Sequence, residues 1–92
     1  MTRKTVKVRN TAGIHCRPTS MILLEARKFP GCKFKIMTAN GDSDLNSMLS
    51  LISLGLSCGD GVTVSANGEN EIEACEKISD LFAYEFDFPP QA

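Results

Sequence analysis

The sequence predicts an α+β fold: an open-faced β-sandwich in which a four-stranded, mostly antiparallel sheet carries three helices on one face. Three observations lead there. Short stretches that alternate polar and apolar residues are interleaved with helix-periodic stretches, in the order β-α-β-β-α-β-α. Lys33 and Lys35 alternate with Phe34 and Ile36, which leaves one face of the sheet to water. Finally, 92 residues allow a single domain, 1–92, with one modest core hiding roughly 60–65 % of the unfolded chain's surface.

Each element has a local reason. Residues 5–8 alternate, with Val6 and Val8 on one side, and read as a first strand after which Asn10-Thr11-Ala12-Gly13 forms a loop. From 16 to 29, Met21, Ile22, Leu24, Ala26 and Phe29 fit a helix. Pro18 sits in its first turn, where a missing N–H costs nothing, and Pro30-Gly31 stops it. Residues 33–37 form a second strand, and Asn40-Gly41 signals a hairpin into a short third strand near 42–44. Residues 47–54 place Met48, Leu51 and Ile52 at helical spacing and end at Gly55, a natural cap. Residues 61–66 alternate again, with Val62, Val64 and Ala66 inward, and Asn67-Gly68 reads as a turn. The stretch 69–84 is the strongest helix, with acids in its first turn and Ile72, Cys75, Ile78 and Phe82 as its buried stripe.

Composition narrows the function. With 42 % apolar and 23 % charged residues the chain reads as a soluble globular protein. Its apolar runs are too short and interrupted for a membrane span, and its start lacks the apolar core of a signal peptide. The expectation is a small intracellular domain. Cys16, Cys32, Cys58 and Cys75 lie 16, 26 and 17 residues apart, without a Cys-x-x-Cys pair, and read as reduced thiols rather than a zinc site shared with the histidine. No metal and no cofactor are expected. The net charge of −1 conceals a division: residues 1–46 carry nine Lys/Arg against three Asp/Glu, and residues 47–92 one Lys against eight Asp/Glu. Either the two halves fold against each other, or a basic face meets an acidic partner or a phosphate. The basic half has no interleaved aromatics, so nucleic acid is not an expected partner.

The single histidine, His15, follows Gly13-Ile14 and precedes a helix whose first turn holds Arg17 and Pro18. Unpaired N–H groups make a helix N-terminus effectively positive, and Arg17 adds a cationic fork suited to phosphate oxygens. An imidazole there can act as a nucleophile toward a phosphoryl group; it can equally be a histidine of the cap region with no chemical task. No carboxylate is near in sequence, and the adjacent His15 and Cys16 point in different directions, so no hydrolase constellation is visible.

Gly13-Ile14-His15-Cys16-Arg17-Pro18 resembles the active-site segment of HPr, the histidine phosphocarrier family of the bacterial phosphotransferase system. Asn46-Ser47-Met48-Leu49, followed by Ser53-Leu54-Gly55-Leu56, looks like that family's second signature, around its regulatory serine. Gly61-Val62-Thr63-Val64-Ser65-Ala66-Asn67-Gly68, then Glu71 and Ala74, look like its last strand and helix. The likeness covers about residues 4–84 and leaves 85–92 as a tail. It implies an open-faced sandwich of the HPr type and a carrier rather than an enzyme. His15 would accept a phosphoryl group on Nδ1 from phosphorylated Enzyme I and pass it to IIA domains of sugar permeases, with Arg17 steadying the phosphate. Ser47 matches the serine modified by the HPr kinase/phosphorylase, and it also reads as a plain helix N-cap. Docking would use Ser20, Met21, Leu24 and Arg27 on the first helix and Met48, Leu49 and Ile52 on the second. Met21, Met48 and Leu49 would ordinarily be core, yet so short a second helix cannot turn every apolar residue inward. The basic first half would favour the same surface. The protein is expected to be cytoplasmic and monomeric, without membrane insertion.

The match is uneven. Cys16 stands where the family has a small residue such as Ala or Thr, and Thr19 replaces a common Ala. Asn46 and Ser50 stand where a Lys and a Gly are frequent, which bears on kinase recognition of Ser47 and leaves His15 untouched. Two relatives offer other readings. A nitrogen-type HPr would keep the phosphohistidine chemistry for regulation. A purely regulatory module would act through phosphorylated Ser47 but lacks the active histidine, which is present here.

Overall fold

A computed structural model describes residues 1–9 and 16–84, the side chains of Cys16 and Arg17 excepted. The elements are β1 (Thr2–Lys7), α1 (Cys16–Ala26), β2 (Cys32–Thr38), β3 (Gly41–Ser43), α2 (Met48–Ile52), β4 (Gly61–Gly68) and α3 (Glu71–Phe82). The four strands form one sheet in the order β1-β4-β2-β3, and every pairing is antiparallel. α3 packs on β1 and β4, α1 on α3, and α2 on α1 and β3. The architecture is thus the open sandwich expected, and the alternation of β2 explains it: Phe34 and Ile36 are buried while Lys33 and Lys35 stay in water. Val62, Val64 and Ala66 of β4 face the same way as Phe34 and Ile36, and meet Ile22 of α1, Leu51 of α2 and Ile78 and Phe82 of α3 in one core.

β1 begins earlier than residues 5–8 would indicate. Its inward positions Thr2 and Lys4 are polar, so they carry no apolar signal, but both are used against α3. The Thr2 hydroxyl donates to Glu71 Oε2 at 2.7 Å, and Lys4 Nζ lies 3.3 Å from Glu76 and 3.9 Å from Asp80. The two oppositely charged halves do therefore fold against each other along this seam. Beyond the strand Val8 remains buried, with its N–H donating to the Asp60 carbonyl at 2.9 Å.

α1 stops at Ala26 rather than Phe29, because its last turn tightens: the N–H groups of Lys28 and Phe29 donate three residues back, to Glu25 and Ala26. The β2–β3 hairpin turns on Ala39 and Asn40, and Gly41 already pairs with Thr38. β4 continues through Asn67 and Gly68, which pair with Lys33 and Cys32; the turn expected there falls on Glu69 and Asn70. Ile72 is a correction. It is 73 % exposed, because the inward face of α3 is centred on Cys75, Ile78 and Phe82. At about 100° per residue Ile72 lies roughly a quarter-turn off that centre.

Glu71 takes the inward position instead. The Met1 ammonium 2.8 Å away, the Thr2 hydroxyl and the Gly68 N–H hold its carboxyl at about 2, below the ordinary carboxylate range. A depressed folded-state value stabilises the protein above the unfolded value of about 4.3, and that contribution is lost as pH falls through about 2. Glu71→Gln is expected to flatten the pH dependence of the urea midpoint across that window; an unaltered acid limb would remove Glu71 from the account.

Candidate functional site

The sequence motif enters the fold where α1 begins. Cys16 is the first helical residue, and Pro18 and Thr19 of the first turn are fully buried, which fixes that end of the helix in the core. The Thr19 hydroxyl has no hydrogen-bond partner among the described residues. His15 itself and the side chain of Arg17 lie outside the described residues.

The strand side of the motif is held by a turn that the sequence reading did not single out. The Gly59 N–H donates to the Val8 carbonyl at 2.7 Å, returning the bond that Val8 makes to Asp60. Asp60 Oδ2 accepts from the Ser57 N–H at 2.8 Å, and the Cys58 thiol lies 3.7 Å from the Arg9 carbonyl. The chain thus leaves β1 clamped at Val8 and Arg9, one residue before the segment 10–15. The sequence signal was present in Cys58-Gly59-Asp60-Gly61, whose two glycines flank an acid able to cap its own turn.

The second motif forms a capped helix. Ser47 is exposed and is the N-cap of α2, its Oγ accepting from the Ser50 N–H at 3.3 Å. Ser50, the residue that departs from the family's frequent Gly, bonds Ser43 Oγ at 2.9 Å and the Ser47 carbonyl at 3.0 Å, pinning α2 to β3. Before it, Asp44 accepts from the backbone and side chain of Asn46. Leu45 is buried at φ 63, a backbone state that leucine rarely adopts, so packing holds this entry to α2 in place.

The structure sets the expected docking residues on two helices that touch. On α1 Met21 is 42 % and Leu24 59 % exposed, and on α2 Met48 is 40 % and Leu49 72 % exposed. Arg27 is exposed just beyond α1, while Ser20 and Ile52 are half-buried. Met21, Met48 and Leu49 are therefore surface rather than core. The basic charge is distributed differently from the expectation. Arg3, Lys7, Lys33 and Lys35 lie on the open face of the sheet, away from α1 and α2, and Lys4 is engaged by α3.

Among the described residues no group of three His, Cys, Asp or Glu side chains could hold a metal ion. Cys32, Cys58 and Cys75 are free thiols, and burial pushes those of Cys32 and Cys75 up. No described helix is long and apolar enough to cross a membrane.

The family model for the PTS HPr component phosphorylation site matches residues 2–84. The phosphocarrier protein HPr of Mycoplasma pneumoniae is 37 % identical over 79 residues, 85 % of this chain and 89 % of that protein. The HPr-like protein Crh of Bacillus subtilis is 35 % identical over 80 residues, 86 % of this chain and 92 % of that one. A crystal structure of HPr from Thermoanaerobacter tengcongensis superposes with a TM-score of 0.81 at 32 % identity, over 89 % of this chain and 91 % of that one. On these matches, and on the sandwich and capped second helix described above, the chain belongs to the HPr phosphocarrier family of the phosphotransferase system.

Proposed function

We propose that this protein carries a phosphoryl group on His15, taking it from phosphorylated Enzyme I and passing it to IIA domains of sugar permeases, as a cytoplasmic monomer. Proteins of this family are carriers rather than enzymes. The observation that carries the reading is the segment Gly13-Ile14-His15-Cys16-Arg17-Pro18 running directly into α1 at Cys16. In each transfer the acceptor nitrogen attacks phosphorus as the donor's P–N bond breaks, so the bond type is conserved. Positioning and charge compensation then do most of the work, the latter from the N-terminus of α1 and the guanidinium of Arg17. Met21 and Leu24 beside Met48 and Leu49 supply an adaptable apolar surface for more than one partner.

The test is intact mass after incubation with phosphoenolpyruvate and Enzyme I. One added phosphate, acid-labile and base-stable, is the expected result. No added mass from folded protein with an active donor overturns the reading. Labelling by a nitrogen-specific Enzyme I in preference to the general one would instead favour the nitrogen-type branch.

Ser47 is the proposed regulatory position, modified by an HPr kinase/phosphorylase. Its exposure supports access, and a phosphate at a helix N-cap adds near −2 charge beside Met48 and Leu49 without disturbing the cap. The charge would repel acidic partners at that surface. Ser47→Asp should therefore keep the urea midpoint of the parent and slow acceptance from Enzyme I by about tenfold, equivalent to ~1.4 kcal/mol of docking energy. An unchanged rate would exclude control through this residue.

A further inference from the structure

We propose that the open face of the sheet is a surface for anionic lipid bilayers, on which Arg3, Lys33 and Lys35 seat a phosphate headgroup. Arg3, Ser65 and Lys35 stand in one row across β1, β4 and β2, and Lys33 stands in the next row opposite Asn67. Two strand spacings set the outer residues of the row about 10 Å apart. Between them lies a shallow depression of about 270 Å³ that Arg3, Lys33, Lys35, Met37, Ser65 and Asn67 line. Lys7 continues the basic surface along β1. Among the described strand residues Asp42 is the only acid. It lies 3.6 Å from Lys35, with both side chains more than half exposed, so it does not neutralise the face.

The rest of the molecule orients that charge. Glu73, Glu76 and Asp80 are exposed on α3, in the helical layer on the other side of the sheet. A bilayer with negative surface potential would attract the sheet and repel the helices. Charge rather than an apolar patch is what this face presents: among the described residues Met21, Leu24, Met48, Leu49 and Ile72 are exposed on helices, and the basic depression adds one exposed large apolar residue, Met1, at its edge. A single methionine among cations is not the cluster of aromatic and aliphatic anchors around which protein interfaces form, so lipid fits this face better than a protein partner. Among the described strand residues no exposed aromatic side chain offers a platform on which nucleic-acid bases stack. Adsorbed in this way, the protein would keep α1 and α2 pointing away from the bilayer, open to partners. The inference does not depend on His15.

The experiment is co-sedimentation of the whole chain with vesicles of phosphatidylcholine alone and with half phosphatidylglycerol, at low salt and near 1 M salt. Binding is expected to the anionic vesicles alone, and to vanish near 1 M salt, where the screening length is about 3 Å. Lys33→Glu should weaken it by about tenfold or more. Lys28→Glu, exposed beyond α1 and paired with Glu25, makes the same change in net charge off the face and should alter it by less than about twofold. Equal losses in the two variants would mean attraction by net charge alone and overturn the assignment of the face. No binding to anionic vesicles, or tighter binding to duplex DNA at equal phosphate, would overturn the choice of lipid.

Discussion

His15→Ala is expected to abolish the phosphate that phosphoenolpyruvate and Enzyme I add, in a protein that still unfolds cooperatively. The chain contains one histidine, so no second imidazole can take over the reaction. The neighbouring nucleophiles have different chemistry. A phosphoryl group on a serine survives acid, whereas one on a ring nitrogen is lost in acid and kept in base, so the stability of any residual label identifies its host. Among the described residues the core runs from Val8 to Phe82, and Pro18, Thr19 and Ile22 anchor α1 in it without the imidazole. The loss should therefore be chemical rather than structural, which the urea midpoint checks directly. Transfer retained by the variant, with an acid-labile label, would place the acceptor elsewhere and undo the site assignment.

The sheet was legible wherever inward positions are apolar. β2 and β4 alternate cleanly in sequence, and Phe34, Ile36, Val62, Val64 and Ala66 are buried as that alternation indicates, while Ser65 on the outward side is covered as well because β4 is a central strand. The first half of β1 escaped detection because Thr2 and Lys4 fill inward positions with polar groups that only α3 satisfies. Ile72 misled for the converse reason: an apolar residue beside a stripe looks like part of it until the neighbour it must reach is known. The candidate site is proposed from motifs, since His15, Arg17 and Ser47 stand at separations that resemble the family's, and the N-cap at Ser47 follows from its residue type. Exposure of Met48 and Leu49 was expected from the resemblance and from the shortness of α2, but not from spacing, which in five residues cannot fix which side turns inward. The clamp of Val8 by Gly59 and Asp60 was not legible, being a pairing across 50 residues of sequence made entirely by backbone groups.

Gly68→Ala is expected to destabilise the fold by on the order of 3 kcal/mol, a large fraction of a small domain's 5–15 kcal/mol. As part of Asn67-Gly68 the residue reads like a routine turn glycine, but its surroundings make a different demand. It is the last residue of β4, at φ +133, where any L side chain is strained. A Cβ placed there would also run into the carbonyl of Gly31 and come within 3.1 Å of Cys32 Cα. Both obstacles are backbone and neither is free to retreat. The Gly31 carbonyl accepts from the Glu69 N–H at 3.2 Å, and Cys32 pairs with Gly68 itself at the end of the β2–β4 ladder. Relief would have to open that ladder or shift α3, whose first residue, Glu71, bonds the Gly68 N–H. Gly55 supplies the comparison: at φ +59 it is also left-handed, yet nothing lies within 4 Å of a Cβ there. Gly55→Ala should cost only the backbone strain, about 1–2 kcal/mol. In urea, with a slope of about 1–3 kcal/mol per molar, the Gly68 variant should unfold well below the Gly55 variant. Equal midpoints would mean that backbone conformation, not the close approach of Gly31, is the reason for glycine at residue 68. The end of the sheet where Gly68 lies carries none of the phosphoryl chemistry proposed for His15, so the fraction of the Gly68 variant that remains folded should still accept phosphate at the parent rate.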